Sequence, residues 1–387
     1  MSTIHPDINQ RITKLQALMR SEGIDALVAS SNVALLYLFG QVYSGLAYIP
    51  QEGEAHYLVR RPQAYGIDPQ IHYVRKIEQL SESIQTDSIR NVALELDELS
   101  YNEVRRLSAL FPNAEVSNAT NLLRSVRMVK TPLEQELIRT AAQKHMDIYR
   151  QVKELYQPGM TDLEFQIEIE RLMRQGGSVG LFRCFGSSME IHMGSLLTGD
   201  NATVASPYDF ALGGAGTTAL PLGACGTPLK KGTSIMLDMA GNYGVYLTDL
   251  TRTLSIGRLS DEAYRLHELS RRMHREIMQT AQPGASCANI YTRCLQLAQE
   301  EGAADYFMGY GQQAQFVGHG LGLQINELPV LTSRSRDILR EGMIIAFEPK
   351  FVLPGIGAVG IENTYLITSS GVENLTPLEE EIIDLSR

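Results

Sequence analysis

Between Thr233 and Thr364 two stretches set pairs of carboxylates inside apolar strands, and few folds tolerate that arrangement. The run Ser234–Ala240 (SIMLDMA) is interrupted only by Asp238. Gly241-Asn242-Tyr243-Gly244 signals a turn, and Val245–Leu254 returns carrying Asp249 in the string Thr248-Asp249-Leu250-Thr251-Arg252-Thr253. The midpoint of 238 and 249 falls in that turn, which predicts two aspartates facing each other across a hairpin. The pattern repeats with glutamates. Gly342–Phe347 (GMIIAF) leads into Glu348, Pro354-Gly355-Ile356-Gly357 is the turn, and Ala358–Ile367 returns carrying Glu362, with its midpoint at Gly355. Carboxylates among apolar neighbours are costly to ionise, and two at close range repel. The nearest cations in sequence are Arg252 and Lys350. One or two divalent ions would resolve the conflict; two surface hairpins with solvated acids are the alternative.

A histidine tips this balance. In Phe316-Val317-Gly318-His319-Gly320-Leu321-Gly322-Leu323 the imidazole sits between glycines, where backbone and ligand can approach closely. The other seven, His5, His56, His72, His145, His192, His267 and His274, read as ordinary core or surface residues.

The length, 387 residues, favours two domains. A net charge of −10 argues against a nucleic-acid backbone or an anionic membrane as the main partner. The opening MSTIHPDINQ lacks a basic segment followed by an apolar one, and the four cysteines (Cys184, Cys225, Cys287, Cys294) form no CxxC pair, so a reduced, cytoplasmic protein is expected. Cys287 and Cys294 would share one helix face. Ile8, Ile12, Leu15, Leu18 and Met19 have helical spacing, with Gly23 as the stop. The apolar runs Ile24–Ala29, Val33–Phe39, Leu46–Ile49, His56–Val59, His72–Val74 and Val92–Leu94 read as strands, and Ser100 with Glu103 as a capping box. Residues 1–128 are therefore expected to form an α/β domain, with the boundary in the polar stretch Pro112–Lys130, and residues 129–387 the second domain. Thr131-Pro132-Leu133-Glu134 and Thr161-Asp162-Leu163-Glu164 each open a helix. Gln157-Pro158-Gly159-Met160-Thr161 recurs 125 residues on as Gln282-Pro283-Gly284-Ala285-Ser286, and Gly177 and Gly302 share that offset. This suggests two similar halves with an active site between them.

These residues resemble the pita-bread metallopeptidases, which include methionine aminopeptidase, prolidase, aminopeptidase P and the non-metal relative creatinase. The resemblance covers roughly residues 8–370. Its dimetal members use Asp, Asp, His, Glu, Glu in that chain order, which implies the metal ligands Asp238, Asp249 in D-x-T-R-T, His319 in G-H-G-x-G, Glu348 in G-M-x-x-x-x-E-P and Glu362 in I-E-x-T. The separations are 11, 70, 29 and 14. The implied fold is an α/β creatinase/prolidase-type N-terminal domain followed by an α+β pita-bread domain with pseudo-two-fold symmetry, and the implied assembly is a homodimer. Four carboxylates and an imidazole suit two ions of Mn²⁺, Co²⁺, Fe²⁺ or Zn²⁺. Such ions, about 3.5–4 Å apart, would share a bridging water. The expected reaction is attack of the metal-bridged hydroxide on an amide carbonyl of an Xaa-Pro peptide, with Glu348 moving the proton to the leaving nitrogen.

Three positions depart from that family. Leu222 follows Pro221 where a histidine is usual, Asn326 stands where a second histidine precedes a glutamate, and Gly360 replaces a frequent arginine. The Gly-, Ser- and Pro-rich segment Arg183–Gly226 reads as a surface loop; it holds Glu190, His192, Asp200, Tyr208 and Asp209. His192 and Asn326 are the substrate-binding candidates. An enzyme acting on a small non-peptide C–N or C–S compound, and a catalytically silent metal-binding protein, are the alternatives.

Overall fold

The computed structural model describes residues 5–386; Met1–Ile4, read above for a leader, and Arg387 lie outside the described residues. The chain forms two compact units that divide after Arg127.

The first unit is built on a mixed sheet. Its strands are β1 (Ala26–Ala29), β2 (Ser44–Pro50), β3 (His56–Arg61), β4 (Ile71–Tyr73), β5 (Asn91–Leu94) and β6 (Glu115–Asn118), in the order β4-β3-β2-β1-β5-β6. The helix Pro6–Ser21 buries Ile8, Ile12, Leu15 and Met19, as their spacing predicts. Val33–Phe39 is not a strand but lies in the helix Asn32–Phe39. A continuous apolar run does not distinguish the two. Here the caps decide: the Ser31 side chain accepts the Ala34 N–H, and Gly40 closes the helix at φ 87°. The stretch from Pro112 to Lys130 is ordered structure, containing β6 and the helix Thr120–Met128.

The second unit has two matching halves. The helices Pro132–Tyr149 and Asp162–Gln175 belong to the first, Asp261–Thr280 and Cys287–Glu300 to the second. The repeated turns adopt the same backbone: Gly159 and Gly284 have φ of 95° and 96°, values that favour glycine. After each turn the helix begins against a distant strand-like segment. The Asp162 N–H donates to Thr227 O (2.8 Å), and the Cys287 N–H donates to Asp337 O (3.1 Å).

Between the helix pairs lie the sheets. β7 (Gly194–Thr198), β8 (Ser234–Asn242) and β9 (Leu247–Ser255) form one antiparallel set, with β19 (Ile383–Asp384) at its edge. The tiny pair β10 (Gly309–Tyr310) and β11 (Gln312–Gln313) follows. β12 (Gly318–Gly320), β13 (Glu327–Val330), β14 (Ile344–Phe347), β17 (Asn363–Thr368) and β18 (Gly371–Asn374) form a second sheet, and β15 (Lys350–Leu353) pairs with β16 (Gly357–Gly360) alone. The expected surface loop Arg183–Gly226 is corrected here. It contains β7, buried along its whole length, because Leu196 packs under the first helix pair while Leu197, on the other face, packs against Met236, Val352 and Ala358. One apolar core lies under each helix pair: Phe165, Ile169, Leu237 and Leu250 in the first, Met273, Cys287, Cys294 and Phe347 in the second. All four cysteines are unpaired. Among the described residues no helix is long and apolar enough to cross a membrane.

Candidate metal centre

The aspartate hairpin is a regular ladder. Its register pairs Asp238 with Thr251 and Ala240 with Asp249. The two aspartates are therefore not direct partners, as the midpoint suggested, but diagonal neighbours on one face. The glutamates sit differently. β14 pairs with β17 through Phe347 and Asn363, and β15 with β16 through Lys350 and Gly360. Glu348 and Glu362 occupy the gap where the chain passes between these ladders, and the same register puts them opposite each other. The Glu348 N–H donates instead to Val317 O (2.9 Å), next to the His319 strand, and the Glu362 N–H donates to Thr251 O (3.2 Å).

The string D-x-T-R-T stitches one hairpin to the other. Thr251 Oγ1 donates to Glu362 Oε2 at 2.6 Å and Thr253 Oγ1 to Gly360 O at 2.7 Å. Thr364, from the glutamate hairpin, donates through Oγ1 to Asp249 O and accepts the Asp249 N–H. The fully buried Arg252 points away from the acids. It donates to Glu362 O, Asn363 Oδ1 and the carbonyls of Thr251 and Glu379, so it braces the strands and neutralises none of the four carboxylates directly.

The result is two overlapping triads of donor atoms, each within 4.8 Å of one another: Asp249, His319 and Glu362 in one, Asp238, Glu348 and Glu362 in the other. His319 is the only histidine in either set. Its Nδ1 is 3.1 Å from Gly320 O, and a proton placed there leaves the Nε2 lone pair for an ion among the carboxylates. Nε2 lies 3.4 Å from Glu348 Oε1 and 3.9 Å from Asp249 Oδ2. Glu362 Oε1 is buried with no hydrogen-bond partner among the described residues. An ion at the Asp249/His319/Glu362 triad would satisfy that oxygen, and the donor chemistry fits it.

The second triad already holds a cation. Lys350, 0% exposed, puts Nζ 2.6 Å from Asp238 Oδ2, 2.7 Å from Glu348 Oε2 and 3.5 Å from Glu362 Oε2. The pKa values follow. Burial by itself would lift Glu348, but the ammonium and His319 outweigh it and hold that carboxyl down at about 2. Glu362 is lifted to about 8, chiefly by burial with Lys350 opposing. Burial and the Glu362 charge raise Asp249 well above the usual carboxylate range. Burial pulls Lys350 down, yet its three carboxylate neighbours raise it. Lysine in an apolar strand two residues after a glutamate was the available signal for this contact, but alternation alone could not say which way its side chain runs.

The substrate candidates fare differently. Asn326 spends its amide on the backbone of Phe185, accepting its N–H at 2.6 Å and donating to its carbonyl at 2.9 Å. His192 is exposed, three residues before Ser195, the register partner of Asp238. Leu222 is buried. Asp200 accepts the Gly355 N–H at the tip of the glutamate hairpin (2.6 Å), and Glu190 accepts from Tyr208 Oη (3.0 Å). Three contacts had no warning in the sequence. Lys130 and Glu327 form a buried ion pair at 3.0 Å that holds β13, the neighbour of the His319 strand. His145 and His274, on the first helix of each half, back the two hairpins through Thr248 Oγ1 (3.0 Å) and Tyr365 Oη (2.8 Å).

Comparison with known proteins agrees with this architecture. The Xaa-Pro dipeptidase of Pyrococcus furiosus is 23% identical over 97% of this chain and 100% of its own. The prolidase structure from Pyrococcus horikoshii superposes with a TM-score of 0.79 at 22% identity, covering 97% of this chain and 100% of that one. The X-Pro aminopeptidase of Thermotoga maritima gives 0.76 at 23% identity, over 94% and 99%. Residues 11–129 match the creatinase/prolidase N-terminal domain, and residues 136–369 match metallopeptidase family M24.

Proposed function

The chain belongs to metallopeptidase family M24, and on that premise we propose that it is a metal-dependent Xaa-Pro dipeptidase-like hydrolase. The observation that carries this is the Asp249/His319/Glu362 triad with its unsatisfied Glu362 oxygen. Asp249, His319 and Glu362 would hold a divalent ion, and Asp238 and Glu348 complete the expected donor set around Lys350. A bound ion supplies Lewis acidity for an amide carbonyl and lowers the pKa of a water. Glu348 is the group placed to carry a proton to the leaving nitrogen, since its Oε1 faces His319 while Oε2 rests on Lys350. The ammonium keeps that carboxyl ionised, so it enters as a proton acceptor. Four unpaired thiols fit a reducing, cytoplasmic setting; a homodimer is the assembly to test by light scattering.

The test is release of proline from a panel of Xaa-Pro dipeptides by metal-reconstituted protein, lost on chelation. If millimolar peptide is not turned over, the peptidase assignment falls. One observation favours a second reading: neither Leu222 nor the engaged Asn326 offers the imidazoles that the peptidases of this family carry. On that reading the same centre opens a C–N or C–S bond in a small non-peptide compound, and a small-molecule hydrolysis screen separates the two.

A further inference from the structure

We propose that the Lys350 ammonium stands in place of one of two divalent ions, so that this chain binds a single ion, between Asp249, His319 and Glu362. The inference rests on the metal-dependent reading above and deepens it. Two ions do not fit the residues present. Nζ is 2.6 Å from Asp238 Oδ2 and 2.7 Å from Glu348 Oε2. An ion bound to those oxygens at about 2.0–2.2 Å would lie within the volume the nitrogen fills, and two cations so close with no water between them repel strongly.

The lysine has no route aside. It is 0% exposed, and its backbone is held in the β15–β16 ladder opposite Gly360. Gly360 is part of the device. It has φ 141°, and a Cβ there would come within 2.7 Å of Pro349 O and 3.1 Å of Lys350 Cα. A larger residue at position 360 would push the strand that delivers the ammonium. The missing arginine and the buried lysine thus face each other across one rung. Exchanging a divalent ion for an ammonium also leaves the cluster one charge more negative than a two-ion centre, which strengthens its hold on the ion that remains.

The test is a metal count. Purified full-length protein is stripped with chelator, reloaded with Mn²⁺ and measured by inductively coupled plasma mass spectrometry and electron paramagnetic resonance. The wild type should hold one ion per chain with the hyperfine pattern of an isolated Mn²⁺. Lys350→Ala should rise to two ions with exchange-coupled spectra. Two ions in the wild type would overturn the proposal, and a folded Lys350→Ala that still holds one would overturn the lysine's role in excluding the other. Should that variant not fold, the wild-type count decides alone. No ion in the wild type would sink both this proposal and metal dependence. One ion without Xaa-Pro turnover would sink the peptidase reading and leave this one standing.

Discussion

The two acidic hairpins do the same work by different backbone means. The aspartates ride an unbroken ladder, where Asp238 and Asp249 project from one face at a diagonal. The glutamates stand in a break between two ladders, where their own backbone N–H groups bond to other strands. A regular ladder holds a side chain in register, and the backbone groups it leaves on its outer side, the Asp249 N–H and C=O, are taken by Thr364 Oγ1. A break lets the strand turn and brings in a third element, here Lys350 across from Gly360. The difference teaches that each hairpin supplies a donor to the open triad, Asp249 from one and Glu362 from the other, while the glutamate side also decides how much positive charge the site already has.

The largest expected effect separates the two aspartates. Asp249→Asn should cost more than about 100-fold in metal affinity, since even the partners of metal ligands are worth about 10–100-fold. Asp238→Asn should keep the ion, because its carboxylate serves Lys350. Isothermal titration with Mn²⁺ reads both, and loss of the ion from Asp238→Asn would break the proposed division between the triads.

Next comes the buried pair beside the His319 strand. Lys130→Met removes the ammonium that pairs with Glu327 Oε2, and breaking such a pair costs about 3–5 kcal/mol. Urea unfolding of the metal-free protein measures it, and a loss below about 1 kcal/mol would show that the pair does not hold this side together.

A smaller effect is acid lability. Burial holds both His145 and His274 neutral, with pKa values down at about 3. A depressed histidine gives stability that is full above the unfolded value near 6.5 and is lost as pH falls toward the folded one. At pH 5 that amounts to about 2 kcal/mol for each. In His145→Gln the gap between pH 7 and pH 5 stability should shrink by about that amount. An unchanged gap would remove His145 from the account of the aspartate side, and His274→Gln tests the glutamate side in the same way.

The smallest effect compares two glycines of the glutamate hairpin. Gly360→Ala meets backbone atoms, whereas Gly355→Ala, also at positive φ, meets nothing within 4 Å. The second should cost about 1 kcal/mol; the first should cost more and lower metal affinity as well. Equal costs would mean that the strand bearing Lys350 yields easily.

Much of this was open to reading in the chain. Capping boxes at Thr131 and Thr161 formed because a side-chain oxygen three residues from its partner needs no tertiary help. The repeated turns were visible because a left-handed residue demands glycine. Val33–Phe39 reads as a strand because burial on nearly every side erases helical periodicity, and β7 is too short to show any. Lys350 is legible as a nearby cation, but its destination is not.

By itself the sequence determined the acidic strands, the turns between them and the glycine-flanked histidine, since each depends on residues close along the chain. Only the tertiary structure decided that Arg252 braces carbonyls while Lys350 enters the carboxylate cluster. Both are cations in apolar strands. Which one meets the acids depends on strand register and on the gap between two ladders, and those are set by hydrogen bonds between segments some hundred residues apart.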